Sequence, residues 1–223
     1  MDIFPIGTVA AATSCGLIDG KSYSMFEPNN GAKSNKVYTN LVTTMYDQTK
    51  LTRKKALPYI TLSYNYSGIW AKEYRQLAHF IDSKEDNLNP FYVVDFSEQI
   101  DYDSVASLAG KWVIDTEETR YFSAIANQKS SYVFIWDGSK FRIGDVSSIT
   151  VNASISVDIS TNNYGSLSFV NASINGYLYP IYECYLDGNS LKEFDKGEFV
   201  DVQTSERGFT RTGNIGFTSK YKV

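Results

Sequence analysis

The strongest structural signal in the 223-residue chain is a period of two at residues 148–159. Apolar side chains alternate there with Ser, Thr, Asn and Asp, and the apolar set is Ile149, Val151, Ala153, Ile155, Val157 and Ile159. Successive side chains of a strand point to opposite faces, so this pattern predicts one long, half-buried strand. Shorter runs of similar character predict strands at 111–115, 131–136, 140–143, 167–174, 177–186 and 208–223. The second half of the chain is therefore predicted to be almost entirely β.

A strand, a helix and a second strand are predicted in succession near the middle of the chain. Residues 59–66 alternate as a half-buried strand, and Ser67 then offers an N-cap hydroxyl. A helix over about 68–83 is predicted from apolar residues at helical spacing, namely Trp70, Tyr74, Leu77, Ala78 and Ile81. Trp70, Tyr74 and Leu77 are expected to anchor it to the sheet. A polar loop follows, and residues 91–96 form a buried strand.

Turn residues divide several of these elements. Asp137-Gly138 predicts a hairpin between two strands, and Asn175-Gly176 predicts another, because these pairs accept the positive φ of tight turns. The first fifty residues combine short apolar runs with a Pro-Asn-Asn-Gly loop at 28–31. They fit either a flexible arm or two short strands joined by a long loop.

Composition excludes some classes of protein. A length of 223 residues indicates one or two domains with a core that needs no disulfide. Cys15 and Cys184 are far apart and are expected to be free thiols. Net charge is −4, and Arg53, Lys54 and Lys55 form one short basic cluster, so specific nucleic-acid binding is not expected. There is no run of 18 apolar residues and no signal peptide, which predicts no membrane insertion and synthesis in a cytoplasm.

Residues typical of enzymes are sparse. His79 is the only histidine and is expected to be a helix residue beside the apolar stripe. Asp101 with Asp103 and Glu117 with Glu118 are the densest acidic pairs; they are expected in a loop and a turn as solvated charges, although a glycan hydrolase needs only two carboxylates. We therefore predict that the protein is not an enzyme, with no catalytic residue, cofactor or metal site.

Aromatic residues are abundant, with 17 Tyr and 13 Phe. Trp70, Trp112 and Trp136 could form part of a sugar-stacking surface, although core and interface packing is the expected role of these residues. On the predicted C-terminal strand, Tyr177, Tyr179 and Tyr185 share one face and Tyr182 lies on the other. Within that strand they do not form a single binding strip. A carbohydrate- or receptor-binding β module therefore stands as an alternative function.

The run from Pro58 to Phe96 resembles the core of the minor tail and distal tail proteins of long-tailed bacteriophages. The matching pieces are a strand at 60–64, a helix at 70–80 and an aromatic strand at 89–95 that ends at an acidic residue. Phe141-Arg142-Ile143 followed by residues 149–159 is similar to the closing pair of long strands in that family. The resemblance covers about half of the chain.

This resemblance implies a mainly β fold, either a β-sandwich or a split β-barrel, with one flanking amphipathic helix and additional C-terminal strands. Residues 1–160 would form a ring-forming domain with an insertion at about 101–140, and residues 161–223 a C-terminal β extension. The family implies a structural protein of the virion tail that closes as a hexameric or trimeric ring. That ring would join the tail tube to the tip or baseplate, and DNA would pass through its lumen.

Overall fold

The computed structural model describes residues 4, 17–18, 21–22, 31–38, 40–46, 50–54, 59–82, 84, 89–116, 132–136, 141–150, 154–158, 160–161, 165–166, 176–187, 195–200 and 207–220. Up to the helix, its elements are β1 (Leu17–Ile18), β2 (Lys21–Ser22), β3 (Ala32–Val37), β4 (Asn40–Thr44), β5 (Lys50–Lys54), β6 (Tyr59–Trp70) and α1 (Ala71–Asp82). After the helix come β7 (Phe91–Val94), β8 (Ile100–Tyr102), β9 (Ser104–Leu108), β10 (Lys111–Asp115), β11 (Tyr132–Trp136), β12 (Phe141–Thr150), β13 (Ser154–Asp158), β14 (Ser160–Thr161), β15 (Gly165–Ser166), β16 (Gly176–Asp187), β17 (Asp195–Val200) and β18 (Arg207–Ser219).

Strands hold 73% of the described residues, which confirms the predicted mainly β class. Twelve of them form one antiparallel sheet with the open order β3-β6-β18-β16-β11-β12-β13-β10-β9. Strand β17 pairs with β18, and β7 and β8 both pair with β16. The pairs β1-β2, β4-β5 and β14-β15 each stand apart as two-stranded sheets.

Strand β16 is the shared element of the sheet. Three of its residues have a partner residue on each edge. Leu178 is opposite Ile135 and Ile100, Ile181 is opposite Tyr132 and Val94, and Cys184 is opposite Ser219 and Phe91. Strands β11 and β18 therefore lie along one edge of β16, and β8 and β7 lie along the other. The first half of β16 thus pairs with β11 and β8, and the second half pairs with β18 and β7.

The predicted strand–helix–strand succession is confirmed, with one correction at its first junction. The sequence predicts that Ser67 caps the helix and that Trp70 belongs to it. Instead β6 continues through Trp70, because β18 offers it a partner strand as far as Thr210 opposite Trp70. The helix begins at Ala71 and packs against β6 and β18. Leu77 and Ile81 are buried and Tyr74 is half-buried, as the predicted stripe requires, whereas the side chain of Trp70 lies outside the described residues.

An aromatic cluster joins the helix to the sheet. Phe4 is fully buried at its centre, and its ring lies 4.9–6.2 Å from four others, those of Tyr64, Phe80, Phe91 and Phe217. The backbone N–H of Phe4 also donates to Tyr92 O at 2.7 Å. Edge-to-face pairs of this kind stabilise a core beyond the area they bury. The cluster therefore ties Phe4 to α1, β6, β7 and β18.

The single long strand predicted at 148–159 is wrong. Residues 141–150 form β12, residues 154–158 form β13, and the two pair as antiparallel neighbours with Ile149 opposite Ile155. The alternation in the sequence does not reveal this reversal. The register pairs odd-numbered residues with odd-numbered ones, so both strands of the hairpin keep their apolar side chains on one face of the sheet. A bulge between Val146 and Ser148 then places Val146 opposite Val157, on that same face.

The predicted insertion and C-terminal extension contribute strands to the main sheet. Residues 101–140 contain β9, β10, β11 and most of β8, and residues 161–223 contain β16, β17 and β18. The division near residue 160 stays a prediction, although strands from both sides of it pair together. Among the described residues of the first fifty are β1, β2, β3 and β4, while the choice between a flexible segment and two short strands with a long loop stays a prediction for the region as a whole. The strand predicted at 167–174 and the turns at Asp137-Gly138 and Asn175 lie outside the described residues.

Leu77→Ala should lower the free energy of unfolding by about 2–5 kcal/mol, because Leu77 is buried and truncation leaves a cavity between helix and sheet. Urea denaturation measures the loss. His79→Ala is the matched control, since His79 is exposed on the same helix and should change stability by less than about 0.5 kcal/mol. Equal losses in the two variants would contradict the packing described for α1.

A double variant tests the β12-β13 hairpin. In Thr150→Cys/Ser154→Cys the two residues are directly opposite, at a Cα separation of about 5 Å that suits a disulfide. In one continuous strand the same residues would lie about 13 Å apart. Mild oxidation followed by peptide mapping should therefore find the 150–154 cross-link, with the single variants as controls. A double variant that stays reduced would argue for the continuous strand.

Candidate functional site

Of the residues considered for catalysis, those that the structure describes do not assemble into a centre. Asp101 lies in β8 rather than in the predicted loop, Asp103 follows at the bend before β9, and both are exposed. His79 is exposed on α1, and Glu117 and Glu118 lie outside the described residues. Within the described ranges, no group of three or more His, Cys, Asp or Glu residues is placed to hold a metal ion.

Cys184 is a free, fully buried thiol on β16. Burial raises the pKa of this thiol well above its usual value, and the nearby Asp95 and Glu183 carboxylates raise it further. A thiol that keeps its proton is a poor nucleophile, so Cys184 acts here as a core residue. Cys15 lies outside the described residues.

A row of half-buried aromatic rings crosses β11 and β16. Trp136 is stacked with Tyr177 at 6.4 Å between ring centroids, with the two planes parallel within 2°. Tyr177 contacts Tyr179 at 5.9 Å, and Tyr179 contacts Phe96 at 5.2 Å. We call Phe96, Trp136, Tyr177 and Tyr179 the aromatic row. All four rings keep part of their surface exposed.

Two exposed polar side chains border the aromatic row. Gln99 Nε2 donates to Asp101 Oδ1 at 3.0 Å, and Tyr179 Oη donates to Gln99 Oε1 at 3.3 Å. Asp101 also lies opposite Tyr177 in the register of β8 with β16. The amide of Gln99 and the carboxylate of Asp101 are therefore held beside the rings by contacts within the protein.

Glycine is required at one position near the row. A Cβ on Gly176 would lie 2.5 Å from Tyr102 Oη, whose hydroxyl donates to Trp136 O at 2.7 Å. The sequence predicts Gly176 as a turn residue, but it is the first residue of β16, where the ring of Tyr102 occupies the place of a side chain.

Asp95 fixes the segment that carries Phe96 and Gln99. Its backbone N–H donates to Pro180 O at 2.8 Å, and its Oδ1 accepts from Ser97 N at 3.1 Å and Ser97 Oγ at 2.6 Å. Asp95 is almost fully buried, and this burial raises the pKa of its carboxyl, while hydrogen bonds from Ser97 and Ser34 lower it by less. The segment is therefore folded around a carboxylate that has lost most of its solvent.

The β4-β5 hairpin carries Met45 and Tyr46, two of the four large apolar residues that are exposed in the described part of the chain; the others are Tyr38 and Leu108. The two strands pair with each other and with no other described strand. Next to β4, Met45 is half-exposed and Tyr46 is fully exposed, and Tyr38, just before the hairpin, is also exposed. We call β4, β5, Met45 and Tyr46 together the arm, with Met45 and Tyr46 as its tip. Neighbouring exposed apolar side chains of this kind make the arm a candidate for a surface that another molecule covers.

The edge of the sheet at β3 has a different character. Strand β3 pairs with β6, and its sequence places Lys33 and Lys36 among exposed residues. Lysines on an edge strand discourage uncontrolled strand addition. The arm is therefore a better candidate contact surface than the β3 edge.

Sequence reasoning named Trp136, Tyr177, Tyr179 and Asp101 separately but did not bring them together. It missed Gln99 and gave no role to Phe96 beyond a strand. Gln99 follows a buried strand without any spacing signal, so its position beside Tyr179 depends on the pairing of β8 with β16.

Asp95→Asn should increase stability relative to the natural protein, and more at neutral than at acid pH. The pKa of Asp95 is raised in the folded state, so the unfolded chain loses this proton at a lower pH. Between the two pKa values the free energy of unfolding falls as the pH rises, and asparagine removes that fall. Urea denaturation from about pH 3 to about pH 7 measures the difference.

Asp101→Asn serves as the control for this pH series, because it removes a carboxylate of the same kind from an exposed position. The prediction is wrong if the difference in free energy of unfolding between Asp95→Asn and the natural protein is the same at every pH. In that case Asp95 titrates in the folded protein as it does in the unfolded chain.

No described helix has the length and apolar character needed to cross a membrane. In comparisons with known proteins, no protein-family model and no curated protein matches the chain.

Proposed function

We propose that the chain is a structural protein of a bacteriophage tail, of the distal tail or minor tail kind, and that copies of it close into a ring of three or six subunits. In this role it joins the tail tube to the tip or baseplate, after synthesis in the host cytoplasm. It performs no catalysis and holds no cofactor. The exposed tip of the arm is the observation that carries the proposal.

The arm has the properties of a subunit contact. Met45 and Tyr46 would be a liability on an isolated protein, since exposed apolar side chains promote association. In a ring each arm lies on the next copy, and cyclic symmetry covers every arm without open-ended growth. Tyrosine suits such contacts because its ring packs while its hydroxyl reaches a polar partner.

Of the two architectures expected for this family, the pairing favours the split barrel. Strand β8 pairs with β16, and β9, which follows after Asp103, pairs with β10 at the far end of the sheet order. Asp103 N donates to Asp115 O at 3.0 Å, and Thr116 Oγ1 donates to Asp101 O at 2.8 Å, so β10 also borders β8.

The segment β8-β9 would therefore close a barrel with β16, β11, β12, β13 and β10. The buried side chains of these strands agree with a shared interior, and they include Ile100, Val105, Ile114, Val133, Ile135, Ile155, Val157 and Leu178. Strands β3, β6, β18 and β7 would then form a second layer on the other half of β16, covered by α1.

Native mass spectrometry tests the assembly. The natural protein should give a trimer or hexamer, and negative-stain images should contain closed rings. Tyr46→Asp should shift the protein to a folded monomer, because a charge at the tip opposes burial against a neighbour. Ser148→Asp, a control at an exposed residue of β12, should leave the ring intact.

A natural protein that stays monomeric at a concentration on the order of 100 µM, far above the Kd of a stable oligomer, would overturn the proposal. Rings that persist unchanged in Tyr46→Asp would overturn the part assigned to the arm.

A further inference from the structure

We propose that the aromatic row, together with Gln99 and Asp101, binds a neutral saccharide. This site is separate from the arm, and the proposal does not depend on ring assembly. It rests on three properties of the surface: ring geometry, neighbouring hydrogen-bonding groups and charge.

The rings provide an apolar surface of suitable shape. Trp136 and Tyr177 are parallel within 2°. Tyr179 is turned by 80° from Tyr177 at a centroid separation of 5.9 Å, and Phe96 by 63° from Tyr179 at 5.2 Å, so the row offers both ring faces and ring edges. A pyranose ring has an apolar C–H face that packs on such rings, whereas its rim of hydroxyls requires polar partners. Aromatic side chains with a few well-placed polar groups are the usual lining of small-molecule sites.

The polar partners stand beside the rings. Gln99 supplies an amide that both donates and accepts, and Asp101 supplies acceptor oxygens. Both side chains are exposed, and Gln99 is linked to Tyr179 and to Asp101 by hydrogen bonds. A carboxylate and an amide held together match neighbouring hydroxyls of a sugar, which can donate to one and accept from the other.

The charge near the row selects against anionic ligands. Asp101 and Asp103 are exposed and Glu98 is half-buried in the same stretch of chain, and the whole chain has a net charge of −4. Proteins that stack the bases of single-stranded nucleic acids combine aromatic rings with a positively charged groove. Here carboxylates border the rings, so a phosphate backbone would be repelled and an uncharged saccharide would not.

Asp95 keeps the site assembled before a ligand arrives. Phe96 and Gln99 lie in the segment between β7 and β8, which Asp95 anchors to Pro180 and Ser97. Glu98 N also donates to Asp95 O at 3.3 Å. A segment fixed in this way loses little conformational freedom on binding, which favours affinity. Asp95 is therefore a positioning residue for the site.

A binding experiment on the full chain tests the proposal. The probes are soluble neutral oligosaccharides, namely cellohexaose, chitohexaose, maltohexaose, xylohexaose and mannohexaose, studied by isothermal titration calorimetry. At least one should bind, and Tyr177→Ala and Gln99→Ala should each raise its Kd by about tenfold or more. Gln99 is exposed, so Gln99→Ala should fold normally even if Tyr177→Ala is destabilised.

Tyr185→Ala is the matched control, because Tyr185 is half-buried on the same strand and lies beyond the row. It should bind the saccharide as the natural protein does. No binding of any probe, or an equal Kd in all four proteins, would overturn the proposal, as would preferential binding of a single-stranded oligothymidine. Native mass spectrometry of the same samples keeps the two proposals apart, since ring assembly should not change in Gln99→Ala.

Discussion

The rest of the sheet depends on the hydrogen bonds along the two edges of β16. One edge of this strand holds β11 and β18, and the other holds β8 and β7. Each half of the strand thus belongs to a different group of strands, and both groups would lose an edge partner without it. Glu183, buried in the second half, is neutralised by Lys220, whose Nζ lies 2.8 Å from Glu183 Oε1. Breaking such a pair leaves a buried charge, which is strongly destabilising.

Pro180 occupies a central strand, where proline usually removes a needed hydrogen bond. Its position in the register explains why it is tolerated. Strand β8 ends its pairing at Leu178 and β7 begins at Ile181, so the missing N–H of Pro180 faces the gap between them. Its carbonyl still accepts from Asp95 N. The same gap lets the Asp95 segment leave the sheet and present Phe96 and Gln99 beside Tyr179.

Much of the local structure follows from sequence patterns, and most of the pairing does not. Local pattern reading predicts β7, β10, β16 and the buried side of α1, because β7 is a continuous apolar run and α1 repeats its core residues at helical spacing within one segment. It fails at Ser67, where pairing with β18 extends β6 past a good N-cap residue. It also fails at the β12-β13 hairpin, where both strands present apolar residues to one face of the sheet. In both places the outcome depends on a partner strand.

The same reasoning explains why the candidate site escapes a search for motifs. Along β16 alone, Tyr177 and Tyr179 make a short pair, and the sequence correctly indicates that the tyrosines of this strand form no single strip. The row appears when the ring of Trp136 in β11 stacks with that of Tyr177 and the segment after β7 carries Phe96 to Tyr179. Three distant parts of the chain contribute, so its geometry is set by register. A binding surface of this kind tolerates wide changes of spacing in the sequence, provided that the pairing with β16 is kept.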